Sequence, residues 1–368
     1  MVEWKKLGEI CEVQRGKRLT KNLLDENAAY PVYHGGLEPL GKYGQYNREA
    51  NTVMVINVGA SAGTVGFSDC RFWSSDGCFC ISHSELLDNK YLFYYLQTKT
   101  HYLQSQVRHA GIPTLDNPVV EKINLPLLSL PEQNRIVSIL DTFTSSIDNL
   151  KQQIAQRRKQ YEYYRDQLLD LEGNEGVEMK TLGEIGVCVA GATPSTKIAD
   201  YWEGGNIPWM SSGEVHQKVV THTSSLITQK GYDNASTKML PVNTIVIALA
   251  GQGKTRGSVA ITAIELCTNQ SLCGVIIDNA QINNKYVYYY MTTRYNDLRR
   301  ISSGEGTRGG LNLKMIASYP IPVTSLSEQQ RIVDILDQFE TSIQNLEAQL
   351  SQREKQYEYY RNKLLTFE

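Results

Sequence analysis

Several features that identify common classes of protein are missing from this 368-residue sequence. Its seven cysteines lack the paired Cys-x-x-Cys spacing of a zinc site, so we interpret them as reduced, mostly buried side chains. No apolar run approaches the roughly 20 residues of a membrane helix, and the first residues lack the apolar segment of a signal peptide. We therefore expect a cytoplasmic protein without a membrane partner.

Catalytic signatures are also absent. The chain has no Pro-Pro pair, hence no Asp-Pro-Pro-Tyr element for methylation of a base amino group, and it has no nucleophile elbow. Its six histidines are scattered, which is typical of polar surface residues. The absence of these motifs favours a binding role over an enzymatic one. We expect neither a metal nor a cofactor.

One motif suggests an ATPase as an alternative. Ala248, followed by Gly253-Lys254-Thr255, fits a looser phosphate-loop pattern and comes after a predicted strand. A phosphate loop must open a helix whose N-terminal amides hold the phosphates. Because residues 256–259 return to a strand pattern, we expect no ATP binding.

The charge of the chain is nearly balanced, with a formal net charge of -2. Residues 1–130 contain 13 Lys and Arg against 13 Asp and Glu, whereas residues 178–326 contain 13 against 10. The acid excess therefore lies in the remaining segments, and a polyanion-binding face is possible wherever cations cluster locally. The length of the chain predicts two domains.

The sequence repeats itself. Residues 132–169 return as residues 328–365 with 25 identical positions out of 38. Two shorter anchors also return, Leu-Gly-Glu-Ile at 7–10 and 182–185 and Asn-Lys-Tyr at 89–91 and 284–286. Between the anchors the halves diverge. Near-identical helices that alternate with divergent domains predict a constant scaffold presenting two different binding faces.

Both copies of the long repeat carry apolar residues at the 4,3 spacing of a coiled-coil seam. The seam residues are Ile136, Leu140, Phe143, Ile147, Leu150 and Ile154 in the first copy and Ile332, Leu336, Phe339, Ile343, Leu346 and Leu350 in the second. We expect the two copies to pair with each other in antiparallel fashion, and an oligomerisation coiled coil is the alternative. Arg157 and Arg353 occupy seam positions, where they either fix the register or extend to water.

The predicted fold class is α+β, with two mixed α/β domains separated by two long helices that form an antiparallel coiled coil with a pseudo-twofold internal repeat. The domain boundaries follow from the repeat: 1–130 for the first domain, 131–172 for the first long helix, 173–178 for a linker, 179–326 for the second domain and 327–368 for the second long helix. Strands are predicted at 52–58 and 244–249, with a hairpin partner at 259–261, and helices at 91–97 and 286–294.

Three stretches carry a resemblance to a known family. The first runs from Leu182-Gly183-Glu184-Ile185 through Gly191-Ala192-Thr193-Pro194-Ser195 to Tyr-Trp-Glu-Gly-Gly-Asn-Ile-Pro-Trp at 201–209. The second leads into each long helix, at 128–133 and 324–329. The third is the two-copy architecture. With these features the chain resembles the specificity subunits of type I restriction-modification systems over essentially its full length.

The resemblance implies a non-catalytic DNA-binding subunit. Each target-recognition domain would read one half of a bipartite double-stranded DNA target, while the helices set the gap and dock methyltransferase subunits. Two methyltransferase (M) subunits and, in the full complex, two motor-nuclease (R) subunits are the implied partners. A coiled-coil adaptor that recognises proteins through its two domains is the alternative, and it would not bind DNA.

Candidate DNA contacts are mostly cationic residues on glycine-flanked loops, for which phosphate contact is the usual role and bidentate guanine reading suits arginine. In the first domain they are Arg15, Lys17, Arg18, Lys21, Tyr33, His34, Gly35, Arg48, Arg108 and His109. In the second they are Trp209, Ser211, Ser212, Lys254, Thr255, Arg256, Arg299, Arg300 and Arg308. The alternative for each is a solvated surface residue, and for Trp209 it is a core residue.

Overall fold

A computed structural model describes residues 2–251, 254–277, 280–302 and 310–367. The chain forms two compact units. The first comprises Met1–Gln153 with Leu346–Glu368, and the second comprises Ile154–Asn345. Each unit therefore combines one globular domain with parts of both long helices. In the described ranges, no helix has the length and apolar character needed to cross a membrane.

The globular part of the first unit mixes strands and short helices. Its strands are β1 (Glu3–Lys6), β2 (Val13–Arg15), β3 (Tyr30–Tyr33), β4 (Gly41–Tyr43), β5 (Thr52–Ile56), β6 (Val65–Ser68), β7 (Trp73–Ser74), β8 (Cys78–Ile81) and β9 (Asn124–Leu127). Its helices are α1 (Leu7–Ile10), α2 (Asn89–Thr98), α3 (Thr100–Ser105) and α4 (Asn117–Glu121), followed by the long helix α5 (Leu130–Leu169). A 3-10 turn covers Lys21–Leu23.

Two main sheets form this domain. Strands β2, β8, β5 and β6 make an antiparallel sheet in that order, and the central strand β5 is buried along its whole length. Strands β4, β3 and β7 make the second sheet, in which β3 and β7 run parallel. Strand β1 pairs with β9 next to the start of the long helix. Helix α2 contributes Tyr91 and Leu92 to the core that covers β5.

In its described residues, the second half of the chain has a similar order of elements, with one additional strand, one additional helix and one additional 3-10 turn. Its strands are β10 (Glu178–Thr181), β11 (Val187–Ala190), β12 (Ile207–Met210), β13 (Val219–Val220), β14 (Ser225–Ile227), β15 (Ile245–Ala248), β16 (Val259–Thr262), β17 (Cys267–Thr268), β18 (Leu272–Ile276) and β19 (Pro320–Val323). Its helices are α6 (Leu182–Ile185), α7 (Gln229–Asp233), α8 (Asn284–Thr293), α9 (Tyr295–Ile301), α10 (Leu313–Ala317) and α11 (Leu326–Leu365), with 3-10 turns at Ala199–Tyr201 and Ser212–Gln217. The sheets run β11-β18-β15-β16-β13, β14-β12-β17 and β10-β19.

The predicted elements are found with small shifts at their ends. Strand β5 stops before Asn57, because the chain leaves the sheet there and the Asn57 carbonyl accepts a hydrogen bond from the Leu115 N–H (2.8 Å). Strands β15 and β16 form the predicted hairpin. Helices α2 and α8 each begin two residues early, since Asp88 and Asn283 cap their first N–H groups.

A buried glutamine fastens each long helix to its own domain. The Gln133 side chain accepts from the Asp88 N–H (2.8 Å) and donates to the carbonyls of Leu86 and Leu128 (2.9 Å each). Gln329 makes the equivalent three contacts in the second unit. Both side chains are fully buried, so the glutamine of the Glu-Gln pair that opens each repeat has a structural role.

The repeated Asn-Lys-Tyr segment makes a second connection to the same helix. In the first unit, Lys90 Nζ lies 2.7 Å from Asp141 Oδ2, and the Tyr94 hydroxyl donates to Asp141 Oδ1 (2.6 Å). The second unit repeats both contacts with Lys285, Asp337 and Tyr289. One carboxylate on each long helix thus holds helix α2 or α8 of its domain.

Within each unit the two long helices pack antiparallel. In the first unit Ile136 and Leu140, near the start of α5, share a core with Leu365 at the end of α11. In the second, Ile332 and Leu336 share a core with Leu169. Half of the predicted seam residues are buried: Ile136, Leu140, Ile147, Ile154, Ile332 and Leu336. The other half are half-buried: Phe143, Leu150, Phe339, Ile343, Leu346 and Leu350. The prediction of an antiparallel helix pair within one chain is confirmed.

Candidate nucleic-acid interface

The tight turn that begins at Ser75, between β7 and β8, is packed between two loops of the first domain. The Ser75 N–H donates to the carbonyl of Tyr33 (3.0 Å), and the Asn57 N–H donates to the carbonyl of Gly77 (3.1 Å). A Cβ on Gly77 would lie 2.7 Å from the backbone nitrogen of Gly35, closer than side chains come in proteins. The turn therefore joins the loop after β3 to the loop after β5.

Asp76 occupies the tip of this turn, among residues predicted to contact DNA. Arg15 Nε donates to the main-chain carbonyl of Asp76 (3.0 Å), and His34 Nδ1 lies 3.3 Å from Asp76 Oδ1. Arg48 Nη2 donates to the Arg15 carbonyl (3.2 Å). Of the predicted residues, His34 thus contacts the Asp76 carboxylate and Arg15 contacts its backbone, while Arg48 is linked to the turn through Arg15; Asp76 itself was not predicted from the sequence. The Asp76 side chain is 32% exposed, so it is accessible from solvent.

The Arg108 loop extends the same surface. The backbone of Arg108 exchanges hydrogen bonds with Thr114 (2.9 and 3.0 Å), and the Gly59 N–H donates to the carbonyl of Pro113 (2.9 Å). Because Gly59 lies in the loop after β5, the Arg108 loop is joined to the turn described above. Arg108 and His109 are both exposed.

The cations that follow β2 are presented to solvent. Lys17, Arg18 and Lys21 are exposed. The backbone beneath them is fixed, since the Lys17 N–H donates to the carbonyl of Ser74 (2.9 Å) and the Lys17 carbonyl accepts from Trp73 Nε1 (2.9 Å). An ordered backbone with solvent-exposed cationic ends is suited to contact with phosphates.

Two aromatic candidates are held inside their domains. The Tyr33 ring packs edge to face on Phe72 with centroids 5.3 Å apart, and burial raises the pKa of its hydroxyl above the ordinary range. Trp209 is 7% exposed, and its Nε1 donates to the carbonyl of Ala192 (2.9 Å). Trp209 therefore takes the core position that was the alternative for it.

The second unit repeats the central turn, between β17 and β18, with different side chains. The Asn269 N–H donates to the carbonyl of Met210 (3.0 Å), and the Leu249 N–H donates to the carbonyl of Ser271 (2.8 Å). Strand β17 pairs in parallel with β12, as β7 does with β3. Residues 269–272 thus have the hydrogen bonds and strand context of residues 75–78.

Gln270 is the structural equivalent of Asp76 at the tip of the second turn. Its side chain is exposed, and the Thr193 hydroxyl donates to its Oε1 (2.5 Å). Between residues 73–78 and 267–272 no position is identical, so no sequence signal aligns the two turns. Neither tip residue was among the predicted contacts for this reason.

A glycine holds the chain against the turn in both units. A Cβ on Gly16 would lie 2.1 Å from the carbonyl oxygen of Ser75, and a Cβ on Gly191 would lie 2.0 Å from that of Thr268. A larger residue would displace the segment from the turn. The contact explains why both loops contain glycine here although their flanking residues differ.

Ser211 and Ser212 lie at the start of the Ser212–Gln217 turn, where Glu214 organises the backbone. Glu214 Oε2 accepts from the Ser211 N–H and hydroxyl (2.7 and 2.9 Å), and Oε1 accepts from the Ser224 N–H (2.7 Å). Burial opposes ionisation, but these hydrogen bonds hold the pKa of Glu214 below its ordinary value. The Ser211 hydroxyl is thus engaged within its own domain, and Ser212 is half-buried.

The basic loop before β16 is tied to helix α9. The Tyr295 hydroxyl donates to the carbonyl of Lys254 (3.0 Å), and Arg299 Nη1 donates to the carbonyl of Arg256 (3.3 Å). Lys254 is exposed, Thr255 is half-buried and Arg256 is buried. Of this group, Lys254 offers the most accessible charge.

The remaining candidates of the second domain are two arginines. Arg300 is 79% exposed, and its Nη2 lies 3.2 Å from Asp297 Oδ1. Arg308 lies outside the described residues. Arg300 therefore joins Lys254 as an exposed cation.

The phosphate-loop alternative requires a helix directly after Thr255. The chain instead turns at Arg256 and Gly257 and enters strand β16. Gly253 itself lies outside the described residues. The described part of the loop thus lacks the helix N-terminus that holds phosphates in such loops.

Two buried thiols are held in their protonated form. Burial raises the pKa of Cys11 and of Cys267 to about 11. Within the described ranges, no group of three or more His, Cys, Asp or Glu residues is arranged to bind a metal.

Comparison with known proteins decides the family. Residues 1–157 and 174–354 match the family model described as the type I restriction modification DNA specificity domain. The chain belongs to the type I restriction-modification specificity subunit family. The two matched ranges correspond to the two halves of the internal repeat, so the repeat consists of two specificity domains.

Relatives and solved structures agree with this family. A type I restriction enzyme specificity subunit of Escherichia coli is 34% identical over 389 aligned positions, covering 100% of this chain and 94% of that protein. A putative specificity subunit of Haemophilus influenzae is 28% identical, covering 100% and 96%. The crystal structure of a type I system S subunit from M. genitalium has a TM-score of 0.70 at 18% identity, covering 100% and 97%, and therefore shares the fold.

Proposed function

We propose that this chain is the DNA-reading subunit of a type I restriction-modification enzyme and that each domain reads one half of a bipartite double-stranded target. The observation that carries the proposal is the repeated turn. One backbone arrangement presents Asp76 beside Arg15 and His34 in the first unit and Gln270 beside Thr193 in the second. A constant scaffold with two sets of polar side chains suits two different half-sites.

Exposed cations of the two domains supply the part of binding that does not depend on sequence. We assign phosphate contacts to Lys17, Arg18 and Lys21 in the first domain and to Lys254 and Arg300 in the second, because all five are exposed. Neutralising phosphates releases counterions, so the affinity should fall with rising salt. A net charge of -2 over the whole chain does not prevent this, since only the local field matters at the contact.

The long helices would set the gap between the half-sites. A helix of 40 residues is about 60 Å long. This length lies between one and two turns of B-DNA at roughly 34 to 36 Å per turn. A spacer of this length is comparable to the distance between half-sites that lie one to two helical turns apart.

The repeated helices also support two identical partners. Tyr163 and Tyr359 hold equivalent positions in the two copies and are 59% and 60% exposed. A surface that occurs twice is suited to binding two copies of the same protein. We assign it to two M subunits, and two R subunits then join them in the full complex. These partners then carry out catalysis, and the chain acts in the cytoplasm as their non-catalytic DNA-recognition subunit.

Methylome sequencing of cells with and without this gene tests the proposal. We expect a bipartite methyl-adenine motif with two half-sites and a fixed gap that disappears when the gene is deleted. The complex with M should also bind duplex DNA with an affinity that falls as salt rises. If no motif depends on the gene and the complex does not bind DNA, the protein-adaptor alternative takes its place.

A further inference from the structure

Each of the two equivalent turns is bonded to two segments that lead into loops with candidate DNA contacts. In the second domain these segments end at Met210, which precedes Ser211, and at Leu249, which precedes the Lys254 loop. The first turn forms one backbone hydrogen bond on each side. The Ser75 N–H donates to the Tyr33 carbonyl, and the Gly77 carbonyl accepts from the Asn57 N–H. Candidate contacts lie on each side of it. His34 follows Tyr33 on one side, and on the other the loop after Asn57 is bonded, from the Gly59 N–H to the Pro113 carbonyl, to the loop that carries Arg108. The residue at the tip is thus the one that a half-site centred on this turn would meet.

The charge of Asp76 is unusual for this position. Phosphates repel a carboxylate, so an acidic side chain among DNA-binding cations is unfavourable unless it contacts a base. Its Oδ1 accepts from the Ser75 hydroxyl (3.1 Å) and lies beside His34. Among the residues that the structure describes, no donor contacts its Oδ2. Asp76 therefore presents an acceptor to an incoming ligand.

The chemistry of the major groove then selects the base. A carboxylate only accepts hydrogen bonds, which suits the N4 amino group of cytosine, because the other donor, adenine N6, lies next to the acceptor N7. Gln270 has both a donor and an acceptor, which matches the N6 and N7 pair of adenine. The hydrogen bond from Thr193 occupies one of the two lone pairs of Oε1 and holds the amide in place, so Oε1 can still accept from adenine N6 while Nε2 donates to N7.

We propose that Asp76 and Gln270 are the specificity-determining residues of the two domains. Asp76 accepts from the amino group of a cytosine in one half-site, and Gln270 forms a bidentate pair with an adenine in the other. This inference rests on the proposed function, since it names the side chain through which each domain reads its half-site.

Two variants test the inference in cells that also express the M subunit. Asp76→Asn keeps the size of the side chain but adds a hydrogen-bond donor. Gln270→Glu keeps the size but removes the donor of the amide. The recognition motif of each variant is determined by methylome sequencing and compared with that of the unchanged protein. Glu85→Gln, an exposed acid-to-amide change near the long helix of the first domain, is the matched control.

Asp76→Asn should reduce discrimination in favour of cytosine at one position of one half-site by roughly tenfold. Gln270→Glu should do the same for adenine at one position of the other half-site. The opposite half-site and the gap should stay unchanged, so each half-site controls for the other. Because the two variants are in different units, failure of one to assemble still leaves the other to decide.

Two outcomes would overturn the inference. If both variants retain the original motif, or lose activity equally on all sequences, the tip residues only support their turns. The proposed function would survive that result, because the unchanged protein would still direct methylation to a bipartite motif. Absence of any motif with the unchanged protein would instead contradict the proposed function itself.

Discussion

Phe143 and Tyr360 stack across the paired helices of the first unit, with ring centroids 5.3 Å apart and ring planes inclined by 25°. The guanidinium of Arg353 lies 5.7 Å from the centroid of the same Phe143 ring. The second unit repeats the arrangement with Phe339, Tyr164 and Arg157. Because each cation lies over a ring of the opposite helix, the seam arginines favour a single register of the helix pair.

Replacing Phe143 by Ala should lower the free energy of unfolding by about 2 kcal/mol, roughly half the cost at a fully buried site, because the ring is half-buried. Phe143→Leu keeps the apolar volume but loses the stack, and it should cost about 1 kcal/mol. Urea denaturation followed by circular dichroism measures both. Equal losses for the two variants would mean that stacking contributes nothing beyond apolar burial.

Gln133→Ala should be more damaging. It removes three hydrogen bonds and leaves the Asp88 N–H and two carbonyls without that partner in the domain interior, which costs about 3 kcal/mol in the free energy of unfolding. Gln152→Ala is the matched control on the same helix, since Gln152 is exposed and its loss should change stability by less than about 0.5 kcal/mol. Similar midpoints for the two variants would contradict a fastening role for Gln133.

Stability should fall at alkaline pH because of buried tyrosines. Burial, together with the hydrogen bond to Asp141, raises the pKa of Tyr94 well above its ordinary value of about 10, and burial raises the pKa of Tyr95 to about 12. As the pH rises, the unfolded chain therefore loses these two hydroxyl protons at a lower pH than the folded chain does. The stability is thus fully present below pH 10 and declines as the pH rises further, by up to about 1.4 kcal/mol per pH unit for each tyrosine.

Tyr94→Phe isolates one such group. Its unfolding free energy should decline less steeply above pH 10 than that of the unchanged protein, as measured by urea denaturation at several pH values between 8 and about 11. Tyr163→Phe removes an exposed hydroxyl and should leave the slope unaltered. Identical slopes for all three proteins would rule out Tyr94 as a source of the alkaline sensitivity.

The long helices and the recognition loops differ in how far sequence predicts them. Ile136 and Ile332 could be assigned to a seam, because heptad spacing reflects helix geometry and the two copies are nearly identical. Asp76 and Gln270 could not be assigned to one position, because backbone hydrogen bonds from residues distant in sequence define their turns. Trp209 needed the structure as well, since the bond to the Ala192 carbonyl decides that it belongs to the core.

The exposed cations should determine the salt dependence of DNA binding. Removing one phosphate contact with Arg18→Ala should weaken binding of the M complex to all sequences alike and reduce the slope of log affinity against log salt by about 0.9. Lys5→Ala, which removes a cation on β1, is the control and should leave the slope as it is. Fluorescence anisotropy with duplex DNA at several salt concentrations gives both slopes. An unchanged slope for Arg18→Ala would remove it from the phosphate contacts.

Exchanging residues 1–130 for the corresponding domain of another family member should change one half-site only. The second domain keeps its own turn, so the other half-site and the gap should persist. Methylome sequencing of cells with the exchanged protein gives the motif directly. A change in both half-sites would mean that the domains do not read independently.

A heptad inserted after Ile154, with a compensating heptad in α11, tests the helices as a spacer. The insertion keeps the seam pattern while adding about 10 Å, which corresponds to roughly three base pairs. The gap in the methylated motif should lengthen accordingly, although the added DNA twist lowers activity because both half-sites must face their domains. An active enzyme with the original gap would contradict the role of the helices.

The first unit takes its core from both ends of the chain, and this sets the order in which the protein can be completed during translation. Leu365 is buried in the same core as Leu7 and Tyr91. The ribosome releases residues 1–153 long before residues 346–368 exist, whereas the second unit is one continuous segment, Ile154–Asn345. The domain that is synthesised first is therefore the last to complete its core. Until residues 346–368 are synthesised, its exposed apolar surface must be protected from aggregation.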